Sequence, residues 1–191
     1  MIDISKTVFF VDGQSDLKAL KAKFQKEYHQ TAGFRLVICN GKSVSAAGYA
    51  NAAVPSIIFA SNQCFHNFIC IIDKEKRQGS AINFADSVKS EIDKLLTLKS
   101  VKIDVKVCCA DIMFENWIVA DLEGISSHSS ITCNTNQSNF DGKNGTALLK
   151  SMFKKAYKKT AHAADLFKCV CLERGRLNSP SLDKLCRTIE I

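Results

Sequence analysis

The chain has 191 residues, of which 46% are hydrophobic and 24% charged, and this balance suits one globular domain. Two prolines, nine glycines and no repeat or biased tract exclude collagen-like and linker-dominated architectures. Lys and Arg number 26 against 19 Asp and Glu, and the net charge of +7 favours a polyanionic partner without naming one. Because no segment has the pattern of a membrane span or a signal peptide, we expect a cytoplasmic protein with no membrane partner.

The nine cysteines are expected to be reduced. None has CxxC spacing, and no pair is matched by histidines at the spacing of a zinc site. Most lie in apolar runs, where cysteine acts as a small buried hydrophobic residue. The sequence therefore predicts neither a disulfide framework nor a zinc centre, which agrees with a reducing compartment.

The first half of the chain alternates between short apolar runs and helical patterns. The predicted strands are 7–11, 34–39, 68–72 and 101–107. The predicted helices between them begin near Leu17, span 44–60 with a break near Pro55, and span 82–98. This βαβαβαβ order predicts an α/β protein with an open parallel sheet flanked by helices.

After Cys109 the patterns become helical. Helices are predicted over 111–124 and 146–160, with a polar loop over 126–142. A last helix is predicted from Pro180, with Ser179 as its cap. We expect residues 1–125 to form the α/β core and residues 126–191 to form a helical C-terminal extension packed on the same core.

Acidic residues follow two of the predicted strands. Asp12 and Asp16 come after the first strand, and Asp73 and Glu75 come after the third. Sites in parallel sheets lie outside the carboxyl ends of the strands, so we expect these acids to meet there. Asp73 and Glu75 can reach one divalent cation, and Asp12 can complete a site that suits Mg²⁺. The alternative is that each acid is a solvated turn former.

Two further acids lie on the predicted 111–124 helix. A helical wheel places Asp121 on the apolar stripe and Glu115 on its flank. Glu115 is therefore expected to take part in the metal site more directly than Asp121. A buried carboxylate needs a partner. Asp121 therefore either bonds a helix end or a basic residue, or it supports the metal ligands from behind.

Three of these motifs resemble those of TOPRIM domains. The segment Asp12–Asp16 is similar to their first motif, an acidic residue and a glycine followed by a second acid. Asp73-Lys74-Glu75 is similar to their DxD motif. The segment Phe114–Asp121 resembles the Glu-x-Trp-x-x-x-Asp helix of small bacterial TOPRIM proteins of the RloB and abortive-infection type.

This resemblance implies a nuclease that uses Mg²⁺ or Mn²⁺ to cleave phosphodiester bonds in DNA or RNA, tRNA included. It implies an antiphage-defence effector, often beside an ATPase partner protein of the same system. Asp73, Glu75 and Asp12 would hold the metal, Asp12 or Glu115 would handle the proton, and Asp16 would support them. This sequence has Asp12 where the family has Glu, and Glu75 where the family has Asp. Each carboxylate is thereby displaced by about one methylene, which disturbs proton transfer more than metal binding.

Two other functions stay open at this point. One is a non-catalytic TOPRIM-like subunit that docks on a partner ATPase and regulates it, which the short Asp12 carboxylate favours. The other is a phosphatase or nucleotidyl transferase acting on small molecules. The number of metals, one or two, and the oligomeric state, homo-oligomers included, stay open as well.

Lysines form a possible nucleic-acid interface. Lys150, Lys154 and Lys158 recur every four residues along the predicted 146–160 helix, and Lys143 lies in the glycine-flanked loop before it. Contacts from these lysines to phosphates would give an affinity that depends on salt but not on base sequence. The alternative is a solvated helix face.

Overall fold

The centre of the fold is a parallel sheet of four strands. The computed structural model describes residues 2–28, 32–39, 44–132 and 140–189. The strands are Thr7–Val11 (β1), Gly33–Leu36 (β2), Asn67–Asp73 (β3) and Val105–Ala110 (β4), in the spatial order β2-β1-β3-β4. Phe10 lies level with Arg35 on β2 and with Cys70 on β3. The predicted α/β class, an open parallel sheet flanked by helices, is confirmed.

Helices surround this sheet, and a 3-10 turn at Ile4–Lys6 precedes β1. Within the described ranges the α-helices are Gln14–Tyr28 (α1), Ala46–Ser61 (α2), Ala81–Leu98 (α3), Glu115–Val119 (α4), Leu122–Ser126 (α5), Gly145–Met152 (α6), Lys159–Cys169 (α7), Leu172–Gly175 (α8) and Pro180–Ile189 (α9). Ser179 Oγ accepts the Leu182 N–H at 3.1 Å, which confirms the predicted cap of α9. No helix in the part of the chain that the structure describes could cross a membrane.

Each face of the sheet has its own apolar core, because successive side chains of a strand point to opposite faces. Phe9 and Ile69 face α1 and the helices that follow β4. Phe10 and Cys70 face α2 and α3. All five residues of β1 are buried, as expected for a strand covered on both sides. The helices after β4 thus share one core with α1 and the sheet, while the predicted boundary at residue 125 stays a prediction.

Three predictions for the first half are wrong. β2 ends at Leu36 and not at 39. α2 runs through Pro55 to Ser61 without a break, because the buried side chains of Val54 and Ile57 hold both halves of the helix on the core. A proline there costs one backbone hydrogen bond, which packing offsets. β4 begins at Val105 and not at 101, since the pairing with β3 runs from Val105, opposite Phe68, to Ala110, opposite Asp73.

The predicted helix over 146–160 is wrong beyond Met152, where α6 ends. Phe153 is extended and bridges Ile131, and the Thr132 N–H donates to the Met152 carbonyl at 2.8 Å. The buried Phe153 ring packs 5.5 Å from the Tyr157 ring, centroid to centroid. The Lys154 N–H donates to the Ser130 carbonyl at 3.0 Å in place of a helical hydrogen bond, and burial of the Phe153 ring stabilises the extended segment.

The cysteines that the structure describes are all free. Cys70, Cys108, Cys109 and Cys186 are buried, whereas Cys64 and Cys171 are exposed and Cys39 and Cys169 lie between. Cys133 lies outside the described residues. The expectation that cysteines act as small buried hydrophobic residues therefore holds for half of the described ones.

Candidate active site at the carboxyl edge of the sheet

Acidic side chains gather where β1 and β3 end. Asp12 directly follows β1, Asp16 lies in the first turn of α1, Asp73 ends β3, and Glu75 follows in the next loop. Because β1 and β3 are parallel neighbours, their carboxyl ends meet at one edge. The structure thus brings together the residues predicted to bind metal. The cavity there, of about 300 Å³, is lined by Asp12, Gly13, Asp16, Cys39, Asp73, Glu75, Arg77 and Lys159.

The loop after β3 holds Glu75 in an unusual backbone conformation. Glu75 has a φ of 51°, and Ile112, in the loop after β4, has a φ of 66°. The Glu75 N–H donates to the Ile112 carbonyl at 2.6 Å, so the segments after β3 and β4 remain hydrogen-bonded beyond the ends of the strands. A β-branched residue with positive φ is strained. This strained pair fixes the loop from which Glu75 reaches the cavity.

Lys159, the first residue of α7, is the cation at the centre of the acids. Its Nζ lies 2.9 Å from Asp16 Oδ1, 3.1 Å from Glu115 Oε2 and 3.7 Å from Asp73 Oδ2. A positive charge in the first turn of a helix is disfavoured by the helix dipole. The three carboxylates offset this unfavourable interaction at Lys159. Burial lowers the pKa of Lys159, but Asp73, Asp16 and Glu115 outweigh burial and raise it, so the ammonium stays charged.

Glu115 lies behind Lys159 and does not line the cavity. It is 1% exposed, and its Oε1 accepts hydrogen bonds from Thr146 Oγ1 at 2.9 Å and from the Tyr157 hydroxyl at 3.5 Å. Its Oε2 accepts no hydrogen bond from the described residues and faces Lys159. Direct proton transfer by Glu115 would require Lys159 to move, so the geometry favours Asp12 for the predicted proton-handling role.

Acidic side chains outnumber basic side chains in this site. Burial, together with the charge of Asp16, raises the pKa of Asp12 to about 7. Burial also raises the pKa of Asp16 and of Asp73, in spite of Lys159. The site contains five acidic side chains, which are those of Asp12, Asp16, Asp73, Glu75 and Glu115. It contains two basic side chains, which are those of Lys159 and Arg77. A bound cation would relieve this excess.

Arg77 supplies the other positive charge. Its Nε donates to the Val44 carbonyl at 2.8 Å, and its Nη1 donates to the Asp73 carbonyl at 2.6 Å. The guanidinium carbon lies 4.5 Å from the centroid of the Phe84 ring. Because backbone carbonyls hold it, Arg77 does not neutralise a carboxylate by a direct ion pair. Its side chain adds positive charge to a wall of the cavity.

The sequence prediction missed Arg77 and Lys159 as site residues. Arg77 lies four residues beyond Asp73 in the same loop, and this nearness to the DxD-like motif is a signal that could have found it. Lys159 had no such signal, since it is one of several lysines in a run. Only the end of α6 at Met152 and the packing of α7 on α1 bring it to the acids.

The donor set fits a hard divalent cation in an open site. Among the residues that the structure describes, no three His, Cys, Asp or Glu side chains form a ready-made metal cage. Mg²⁺ is usually held by one or two carboxylates, several waters and substrate phosphate oxygens, so it does not need such a cage. The buried Asp16 Oδ1 accepts no hydrogen bond from the described residues, but it lies 2.9 Å from Lys159 Nζ, which compensates its charge.

Asp121 does not belong to the acidic cluster. The predicted 111–124 helix breaks there, and Asp121 caps α5 by accepting the Gly124 N–H at 3.1 Å. Its other oxygen accepts the Cys171 N–H at 2.6 Å and an N–H of Arg174 at 3.0 Å. Of the two alternatives, bonding to helix ends and a basic residue is therefore the one observed. The predicted support of the metal ligands by Asp121 is wrong, because every observed partner of its carboxylate lies away from the cavity.

The lysines predicted to bind phosphate do not share a helix face. Lys143 precedes α6, Lys150 lies on α6, Lys154 lies in the extended segment and Lys158 caps α7. All four are exposed, and Lys154 Nζ donates to the Ser129 carbonyl at 2.7 Å. The predicted stripe along one helix is wrong because the helix ends at Met152. The segment 153–158 instead leads directly to Lys159 in the cavity.

Gly145 allows α6 to approach α4 closely. A Cβ atom at this position would lie 2.6 Å from the Asn116 backbone nitrogen and 2.6 Å from the Glu115 carbonyl carbon. We expect Gly145→Ala to lower the free energy of unfolding by about 2 kcal/mol, because backbone atoms on both sides must shift. Urea denaturation measures this change, and unchanged stability would contradict the tight α4–α6 contact.

Comparison of the chain with protein-family models, curated proteins and solved structures finds no match. The TOPRIM resemblance rests on the three sequence motifs and stays a prediction. The function is therefore inferred from the chemistry of the acidic cavity.

Proposed function

We propose that the chain is a nuclease that hydrolyses phosphodiester bonds with Mg²⁺ or Mn²⁺ bound in the cavity at the ends of β1 and β3. The observation that carries the proposal is the excess of buried carboxylates around this cavity, three of which have raised pKa values. Burying charge without full compensation costs stability, and sites that persist in this state are typical of function. Oxygen-only donors select a hard cation, which in turn binds phosphate oxygens.

Each group on the cavity wall has a role in this proposal. Asp73 and Glu75 would hold the metal, with Asp12 beside them, and the metal would polarise the phosphate and activate water. The pKa of Asp12, about 7, suits a group that accepts and returns a proton near neutral pH. Arg77 and Lys159 place positive charge where a phosphate would gain negative charge.

The exposed lysines of segment 153–158, which leads to Lys159, favour a nucleic acid over a small phosphate ester. We expect the double change Lys154→Glu and Lys158→Glu to weaken binding of single-stranded DNA or RNA by about tenfold and to lower its salt dependence. The matched control is Lys94→Glu with Lys99→Glu, because the end of α3 lies by the amino ends of the strands. Fluorescence anisotropy measures the binding affinity of both double variants. An equal loss of affinity in the two variants would contradict a specific role for segment 153–158.

The test of the proposed function is cleavage of labelled DNA, total RNA and tRNA by the purified chain. The reactions contain Mg²⁺ or Mn²⁺, with EDTA as one control and the double variant Asp73→Ala and Glu75→Ala as the other. We expect cleavage that both controls abolish, and the labelled substrate that is cut identifies the substrate class. A folded protein that cuts none of them with either metal would contradict the proposal.

A second candidate is the non-catalytic subunit that docks on an ATPase. The observation in its favour is that Lys159 already offsets part of the negative charge without a metal. This candidate requires that the chain cleaves nothing alone, co-purifies with its partner and still functions with Asp12→Ala. The nuclease and the subunit therefore differ in their tolerance of a change at Asp12. A role in antiphage defence, common to both candidates, derives from the motif resemblance.

A further inference from the structure

We infer that Lys159 takes the place of a second metal ion, so that the site binds one divalent cation and not two. This inference rests on the proposed function and answers a question that the motifs leave open, the number of metals. Two-metal phosphodiesterases hold their ions about 3.5–4 Å apart, with acidic side chains around both. The ammonium of Lys159 has three carboxylates within 3.7 Å, which are the acidic surroundings that a second ion would need.

The acids divide into two groups that share Asp73. On one side are Asp12 and Glu75, which line the open cavity, and the Asp73 backbone N–H donates to the Asp12 carboxylate. On the other side are Asp16 and Glu115, which are 3% and 1% exposed and pair with Lys159, although Asp16 also lines the cavity. Lys159 fills the second side, and only the first side is left for an ion and its waters.

Two carboxylate oxygens on the second side depend on this ammonium. Asp16 Oδ1 and Glu115 Oε2 are buried and accept no hydrogen bond from the described residues. Both lie within 3.1 Å of Lys159 Nζ. A cation is thus required at this point, and a tethered ammonium supplies it without depending on the metal concentration. A divalent ion could bind there only if the ammonium left.

The helix that carries Lys159 is fixed on the core. Lys159 begins α7, and Ala163, Leu166 and Phe167 of this helix are buried in the core shared with α1. Lys23 Nζ of α1 donates to the Val170 carbonyl at the end of α7. Lys26 Nζ donates to the Lys168 carbonyl at 3.1 Å. The carboxyl-terminal end of α7 is therefore tied to α1, which carries Asp16, and Lys159 at the amino-terminal end pairs with Asp16 itself.

The test is the number of Mn²⁺ ions bound by the full chain after metal removal, measured by calorimetric titration and by electron paramagnetic resonance. We expect one ion in the natural chain. Lys159→Met removes the charge but keeps most of the volume, and we expect two ions with a spin-coupled signal. Lys158→Met, a change at the exposed neighbouring lysine, and Lys159→Arg, which keeps the charge, should each bind one ion.

The outcomes separate this inference from the proposed function. Two ions in the natural chain, or one ion in both the natural chain and a folded Lys159→Met variant, would overturn the inference while the nuclease proposal stands. Binding of no Mn²⁺ by the folded natural chain would overturn the proposed function itself. If Lys159→Met does not fold, the count in the natural chain still decides, since two ions there contradict the inference.

Discussion

Asp12→Asn is expected to have two opposite effects, a loss of activity and a gain of stability. Metal-dependent cleavage should fall by about 100-fold or more, because an amide can neither accept the proton nor bind the metal as a carboxylate does. In EDTA the free energy of unfolding at about pH 8 should rise by about 2 kcal/mol, because the variant no longer buries an ionised group with a pKa of about 7. Single-turnover kinetics and urea denaturation measure the two effects.

The gain in stability depends on pH with a definite sign. Burial raises the pKa of Asp12 in the folded chain to about 7, well above the usual pKa of an aspartate, which the unfolded chain retains. The folded state therefore binds the proton more tightly, and the natural chain loses stability as pH rises between these two values. The advantage of Asp12→Asn should thus be small at low pH, grow toward neutral pH and level off above it. A gain that is independent of pH would contradict this cause.

Asp111→Asn is the matched control for Asp12. Asp111 also follows a strand end, that of β4, but it pairs with Lys74 Nζ at 3.5 Å and does not line the acidic cavity. We expect this change to leave cleavage within a few-fold of the natural chain. Full activity in Asp12→Asn, or equal losses in both variants, would contradict the assignment of Asp12 to the reaction.

Asp121→Ala is expected to cost about 3 kcal/mol of stability, among the largest single effects in the chain. The carboxylate is 1% exposed, caps α5 and accepts the backbone N–H of Cys171 at the start of α8. It also binds the guanidinium of Arg174. Its removal leaves two helix ends without an acceptor and Arg174 without its buried partner. Thermal and urea unfolding measure the loss.

Glu123→Ala is the control for this prediction. Glu123 binds the same Arg174 at 2.9 Å, but its side chain is 75% exposed. An ion pair at the surface contributes little, so we expect a change below about 1 kcal/mol. Comparable losses in both variants would contradict the role of burial. Because Asp121 lies apart from the cavity, the folded Asp121→Ala variant should keep its cleavage activity.

The sheet and the meeting of the acids could be predicted from the sequence because they depend on local patterns. Short apolar runs at β1 and β3 with helical patterns between them lead to parallel strands. Neighbouring parallel strands have their carboxyl ends at the same edge of the sheet. Asp12, Asp73 and Glu75 therefore meet there independently of how the rest of the chain packs. The site therefore follows from topology once the strands are assigned.

The remaining features depend on contacts between distant parts of the chain. Phe153 leaves the helical pattern because it bridges Ile131 and packs on Tyr157, and nothing within 146–160 signals this. The same break brings Lys159, which the sequence analysis did not single out, into the acidic cluster. Asp121 has helical neighbours on both sides, but Cys171 and Arg174, some fifty residues later, decide its role.

The most direct test of the central claim is a crystal structure of the chain soaked in Mn²⁺, with the anomalous signal used to locate the ion. We expect one peak in the cavity at the ends of β1 and β3, bound by the carboxylates of Asp73 and Glu75 and close to Asp12. Lys159 should keep its ion pairs with Asp16 and Glu115. An empty cavity at a saturating Mn²⁺ concentration would contradict the assignment of this acidic edge as a metal-dependent active site.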